Sequence, residues 1–153
     1  MNTPRILALD ASTTAAGWCV ANGGEYQESG VYRPNENDWW ERCWLISLWL
    51  DEFITTKMVP DFVVLELATG NKGNMHTNRL LGAVEYVVRI FCAGYSRPLV
   101  TVTASQVKAT GCHKTALAVA SAVAGREITS GDEADAIGVW LAGWAKIQEG
   151  SEA

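Results

Sequence analysis

Apolar and polar positions along the chain switch between two periods, and the switches mark its elements. Residues 5–10, Arg5-Ile6-Leu7-Ala8-Leu9-Asp10, are a short unbroken apolar run ended by an acid, the pattern of a strand covered on both faces. Ala11-Ser12-Thr13-Thr14 reads as a turn, residues 16–21 as a second strand, Asn22-Gly23-Gly24 as a hairpin turn, and residues 25–33 as a third strand. Asp38, with Glu41 three residues on, has the form of a capping box opening a helix over 39–55. Trp39, Cys43, Ile46, Leu50 and Phe53 make one stripe of that helix and Trp40, Trp44 and Leu48 a second, an arc wide enough to predict burial on more than one side. Met58-Val59-Pro60 ends it, and residues 61–67 form a fourth strand.

A polar loop over 69–76 leads into a helix whose Leu80, Val84, Val87, Val88 and Phe91 follow helical spacing. Residues 99–102 are a fifth strand. Thr103 caps a short helix carrying Val107 and Lys108, residues 114–124 are an Ala-rich helix, and a final helix over 132–147 puts Ile137, Trp140, Leu141 and Trp144 on its core face. The order predicts an α/β domain over residues 1–149 with a loose tail at 150–153. Its mixed five-stranded sheet combines an antiparallel three-strand meander with parallel strands, and helices cover both faces.

The 153 residues suit one domain, and 48% hydrophobic against 19% charged is a globular balance. A net charge of −5 means that any nucleic-acid binding has to come from a local basic patch. Cys19, Cys43, Cys92 and Cys112 are widely spaced without a CxxC pair, so reduced thiols and a cytoplasmic protein are expected. The N-terminus lacks the form of a signal peptide and no apolar run reaches membrane-spanning length, so no membrane partner is expected.

Four acids stand at informative places: Asp10 and Glu66 in apolar strands, Asp132 and Asp135 on one face of the last helix. Each has an ordinary structural reading. Asp10 can cap the turn after it, and Asp132 and Asp135 suit the positive end of a helix dipole. Glu66, inside Val-Val-Leu-Glu-Leu, is the hardest to explain so, because a buried carboxylate needs a partner or a metal. His76 and His113 have no ligand partner at a suitable spacing and read as surface polar residues.

The ordered set resembles the ribonuclease H-like nuclease superfamily and, within it, the RuvC Holliday-junction resolvases. The resemblance runs through Ile6-Leu7-Ala8-Leu9-Asp10-Ala11-Ser12, Gly17-Trp18, Val63-Val64-Leu65-Glu66, Leu80-Leu81-Gly82, Ser105-Gln106-Val107-Lys108 and Asp132-Glu133-Ala134-Asp135-Ala136, over roughly residues 5–145. It implies a ribonuclease H-like fold in a compact, bacteriophage-type form. It also implies a structure-specific endonuclease that cuts four-way DNA junctions in pairs, leaving 5′-phosphate and 3′-hydroxyl nicks. Asp10, Glu66, Asp132 and Asp135 would be the ligands of two Mg²⁺ ions, replaceable by Mn²⁺, with no organic cofactor. Glu133 is the alternative ligand if the helix is rotated. Lys114 falls near the scissile phosphate, while Lys72, Asn74, His76, Arg79 and Lys108 fall on the DNA side. The two-fold symmetry of a junction implies a homodimer, with the helix of Leu80, Val84, Val87, Val88 and Phe91 or the Trp-rich helix as its interface. One departure stands out: Leu67-Ala68-Thr69-Gly70-Asn71 lacks the aromatic residue that several RuvC proteins use for base stacking.

Three rivals share parts of this pattern. A ribonuclease H-like enzyme acting on RNA–DNA hybrid or structured RNA would use the same acids. An actin-like or sugar-kinase-like ATPase also begins with Asp, small residues and Ser/Thr, but needs a second domain and leaves Glu66, Asp132 and Asp135 without a role. A branched-DNA binding protein that does not cut would gain from losing negative charge near phosphates.

Overall fold

A computed structural model describes residues 2–67 and 74–152. Its elements are β1 (Arg5–Ala11), β2 (Ala16–Asn22), β3 (Glu25–Tyr32), α1 (Trp39–Thr56), β4 (Phe62–Glu66), α2 (Met75–Gly94), β5 (Leu99–Val102), α3 (Ala104–Ala109), α4 (Leu117–Ala124) and α5 (Gly131–Glu152). The strands form one sheet in the order β3-β2-β1-β4-β5. The β1–β2 and β2–β3 pairs are antiparallel, and the β1–β4 and β4–β5 pairs are parallel. The expected mixed sheet of a meander plus parallel strands is the one observed.

Strand parity decides which face each residue serves. Ile6 and Ala8 join Cys19, Ala21, Val64 and Val102 in a core under α3, α4 and α5. Leu7 and Leu9 join Trp18, Val20, Val63 and Leu65 in a second core under α1 and α2. Ile6, Leu7 and Ala8 have no exposed surface, which explains why the apolar run at β1 is unbroken.

α5 lies close against the sheet because small residues permit it. A Cβ at Gly17 of β2 would collide with the Asp132 carbonyl, and one at Gly143 would run into the Val64 side chain. Trp140 Nε1 donates to the Gly23 carbonyl at 2.8 Å, which ties the middle of α5 to the β2–β3 turn.

Several local expectations change. Asp38 makes no side-chain cap on α1. Glu41 does not reach back to it; its carboxyl is drawn to Glu36, whose charge raises its pKa. A true capping box opens α3 instead, where Gln106 N–H donates to Thr103 Oγ1 at 3.2 Å and Thr103 N–H to Gln106 Oε1 at 2.9 Å. α4 starts at Leu117 and not at Lys114 as the pattern suggested. α5 runs on to Glu152 and takes in most of the expected loose tail.

The second stripe of α1 is not buried: Trp40 and Trp44 are 55% and 63% exposed. Neither is the Val84, Val88 and Phe91 stripe of α2 available to a partner subunit, because it is spent on the chain's own core. The large apolar residues that α2 turns outward are Met75, Tyr86 and Ile90. Among the described residues, no helix is long and apolar enough to cross a membrane.

Gly17→Ala forces α5 off β2, an overpacking penalty of about 2–3 kcal/mol. Scanning calorimetry should show a Tm lower by about 4–10 °C, and a shift below about 1 °C would mean that α5 is not seated on Gly17.

Candidate metal and phosphate site

The register of the parallel pair brings the first two acids together. Ala8 pairs with Val64 and Leu9 with Leu65, so the next step along both strands sets Asp10 beside Glu66. By parity both lie on the face of Ile6, Ala8 and Val64, the face that α5 covers. The neighbouring turn leaves Asp10 free for this role. Ser12 closes it, its hydroxyl donating to the Ala15 carbonyl at 3.0 Å and accepting the Ala15 N–H at 3.2 Å. α5 enters from Gly131, so Asp132 and Asp135 occupy its first turns directly above.

Electrostatics shows the four acids facing one another. The Asp10 carboxyl is pushed up to about 8, first by burial, then by the charges of Glu66, Asp135 and Asp132, with a hydrogen bond to Glu66 adding to the effect. Burial and Asp135 also raise Glu66, while the Asp10 hydrogen bond, Lys114 and Lys108 pull it down. Asp10 therefore keeps its proton and donates it to the Glu66 carboxylate. Asp135 is raised by burial and restrained by the Lys114 backbone N–H, which donates to Oδ1 at 2.7 Å, by the Lys114 ammonium and by the nearby His113 ring. Asp132 Oδ2 lies 3.6 Å from Arg33 Nη2, at the end of β3.

Asp10, Glu66 and Asp135, pushed toward protonation first by burial and then by like charge, are donors that a hard divalent cation suits, since it replaces repulsion by shared attraction. The oxygen-only chemistry fits Mg²⁺ or Mn²⁺ and not zinc. Among the described residues no three His, Cys, Asp or Glu side chains are already gathered as a ligand set. Asp132 has one oxygen toward Arg33 and Asp135 one on the Lys114 backbone N–H.

Opposite the acids is a wall of positive and donor groups. Lys108, His113, Lys114 and Thr115 line a cavity of about 460 Å³ together with Glu66 and Asp135. Lys108 and Lys114 thus share one cavity with two of the four acids. Asn74 has a structural role, because its carboxamide oxygen accepts the Thr77 N–H at 3.1 Å and caps α2. His76 and Arg79 are exposed on the first turns of α2, which leaves from the same end of the sheet as Glu66, but they do not line the cavity. Lys72, and most of the stretch without an aromatic, lie outside the described residues.

Glu133 is not an alternative ligand. It is 8% exposed and turned under β3, where its Oε1 accepts from Ser29 Oγ at 2.7 Å and from Arg126 Nη2. Arg126 also donates to the Ser29 carbonyl at 3.0 Å. This network fixes the rotation of α5 and so the direction of Asp132 and Asp135. Glu133 lies at helical spacing from Ile137 and Trp140, so its place on the core stripe was readable from the sequence. Arg33 and His113 carried no such signal, because their positions depend on contacts with α5 and on the fold of a turn.

The raised Asp10 carries a linkage consequence. The folded chain holds a proton that the unfolded chain releases above its ordinary carboxyl range, so metal-free protein loses stability as pH rises from about 4 to about 8. Asp10→Asn removes that penalty. Its Tm without metal should exceed that of the wild type by about 2–8 °C at the upper end of this window and by little at the lower end. Equal shifts at both ends, read by calorimetry, would contradict the buried protonated assignment.

No family model matches the sequence, and no curated protein matches it significantly. Solved structures do resemble it. RuvC of Thermus thermophilus in complex with a Holliday junction substrate is 16% identical, with a TM-score of 0.80 and 96% of each chain covered. A second Thermus thermophilus RuvC structure gives 0.73 at 16% identity, covering 94% of this chain and 96% of that one. The yeast mitochondrial Holliday junction resolvase Ydc2 gives 0.64 at 12% identity, covering 97% of this chain and 82% of its own. The chain therefore has the ribonuclease H-like fold in its RuvC form, with Asp10 and Glu66 at the carboxyl ends of its two central strands.

Proposed function

We propose that this chain is a structure-specific endodeoxyribonuclease that resolves four-way DNA junctions by paired phosphodiester hydrolysis, leaving 5′-phosphate and 3′-hydroxyl ends. The observation that carries the reading is the convergence of Asp10, Glu66, Asp132 and Asp135 beside the Lys108 and Lys114 wall, within a RuvC fold. A site that only gripped DNA would gain nothing from four acids next to a phosphate.

Asp10, Glu66, Asp132 and Asp135 would hold two Mg²⁺ ions, with Mn²⁺ as a substitute. Such a pair, when bound, lowers the pKa of a water and stabilises the leaving 3′ oxygen. The chain's own part is to prepare the site. Asp10 must give up its proton, which makes ion binding tighter as pH rises toward 8. Lys114 serves twice, its backbone N–H orienting Asp135 and its ammonium facing the cavity where the phosphate would sit. Lys108 adds a phosphate contact, and the exposed His76 and Arg79 are available to the arms of the junction, to which the sequence resemblance also assigns Lys72. With a net charge of −5, DNA binding depends on such a local group of basic residues. Two cuts related by a two-fold axis call for a homodimer, for which α2 offers Tyr86 and Ile90.

Asp10→Asn and Glu66→Gln each remove a ligand and a negative charge. Cleavage of a four-way junction should fall by about 10³-fold or more, while gel-shift affinity is kept or improved. The higher Tm expected of Asp10→Asn separates this loss from misfolding. Full cleavage by either purified variant would refute the assignment of the acids.

A further inference from the structure

We infer that His113 is a further phosphate-binding residue of this site, presenting a fixed Nε2–H donor to a non-bridging oxygen of the strand to be cut. That this strand belongs to a DNA junction rests on the reading above; the donor geometry does not.

The geometry starts from Thr115. Its backbone N–H points at His113 Nδ1 at 3.3 Å, and its hydroxyl is 2.7 Å from the same atom. A backbone N–H can only donate, so Nδ1 has to accept, and the proton of the neutral ring is on Nε2. The hydroxyl is farther from Nε2, at 3.4 Å. Nε2–H is left as the donor that the ring offers to its surroundings.

Those surroundings select an anion. His113 lines the same cavity as Lys108 and Lys114, and all three oppose the acids: Lys108 and Lys114 act on Glu66, and Lys114 and His113 on Asp135. A cation placed between the two walls is drawn to the carboxylates, and a phosphate oxygen to the lysines and the imidazole. Two ammonium groups supply charge without direction, whereas a ring fixed at Nδ1 supplies direction.

The mount is stiff. The Ala116 N–H donates to the His113 carbonyl at 2.8 Å. Cys112, one residue earlier, is fully buried, with its carbonyl packed where a side chain on Gly138 would stand. Lys114, one residue later, is tied by its N–H to Asp135. The turn that carries His113 is thereby held by the helix that carries Asp132 and Asp135. A donor placed in this way costs little ordering when the strand arrives.

The test uses the full chain with metal chelated and tetrathymidylate as the probe. Long-range ¹H–¹⁵N spectra of the histidine rings, recorded at about pH 8 so that neutral imidazoles are observed, report the tautomer directly. His113→Gln assigns the signals. The expected result is an Nε2–H ring for His113 whose Nε2 resonance moves on titration with the oligonucleotide. The dissociation constant should rise about three- to tenfold in His113→Ala, the worth of one hydrogen bond to a charged acceptor, and recover in His113→Gln, whose amide also donates. An Nδ1–H tautomer, an unmoved Nε2 resonance, or equal losses in the Ala and Gln variants would overturn the assignment. The two readings fail separately. A responsive His113 in a protein that cuts no junction keeps the phosphate contact and removes the junction. Junction cleavage with an unresponsive His113 does the reverse.

Discussion

Mutual repulsion among four carboxylates is the constraint around which this domain is built. Strand parity and the parallel β1–β4 register put Asp10 and Glu66 side by side on the face that α5 covers, and α5 lowers Asp132 and Asp135 onto them. Burial and like charge then act together, and Asp10 keeps its proton up to about 8. No apolar core needs this arrangement. It lowers the stability of the folded chain across the neutral range, and such a penalty makes sense where the same groups do something other than hold the fold together.

The rest of the molecule keeps those charges close. Gly17 removes the side chain that would hold α5 away from β2, and Trp140 anchors the helix to the β2–β3 turn. Glu133 is the acid of this segment that serves structure. Paired with Arg126 and Ser29 beneath β3, it sets the rotation of α5 from the side opposite the site. One helix turn thus carries two kinds of acid, one kind satisfied internally and the other left facing like charge. Lys108, His113, Lys114 and Thr115 line the cavity, and the Lys114 N–H to Asp135 bond couples this basic side to the acid side.

Much of this was legible in the sequence. Period and turn residues marked every strand and the mixed sheet, because β1 and β4 are apolar on both faces and the hairpin at Asn22-Gly23-Gly24 is explicit. The four acids were legible as interruptions of apolar strands and as a pair at helical spacing. What the sequence obscured was non-local. Nothing near Arg33 announces Asp132 as its partner, and His113 looked solvated because the turn holding it is shaped by Cys112, Gly138 and Asp135. The apolar stripe of α2 did not by itself say whether it serves the core or a partner, because both faces share one pattern; its packing in the core with α1 assigns Val84, Val88 and Phe91 to the fold. The Asp38–Glu41 spacing suggested a capping box, but Asp38 makes no side-chain cap and Glu41 hydrogen-bonds Glu36 instead.

The most direct test incubates the purified protein with a mobile four-way DNA junction, with and without Mg²⁺, beside linear duplex and RNA–DNA hybrid of the same sequence. The proposed resolvase activity predicts paired nicks confined to the junction, present only with the metal and sealable by ligase. Tight junction binding without a cut in any metal, or cleavage of the hybrid with the junction left intact, would contradict that reading.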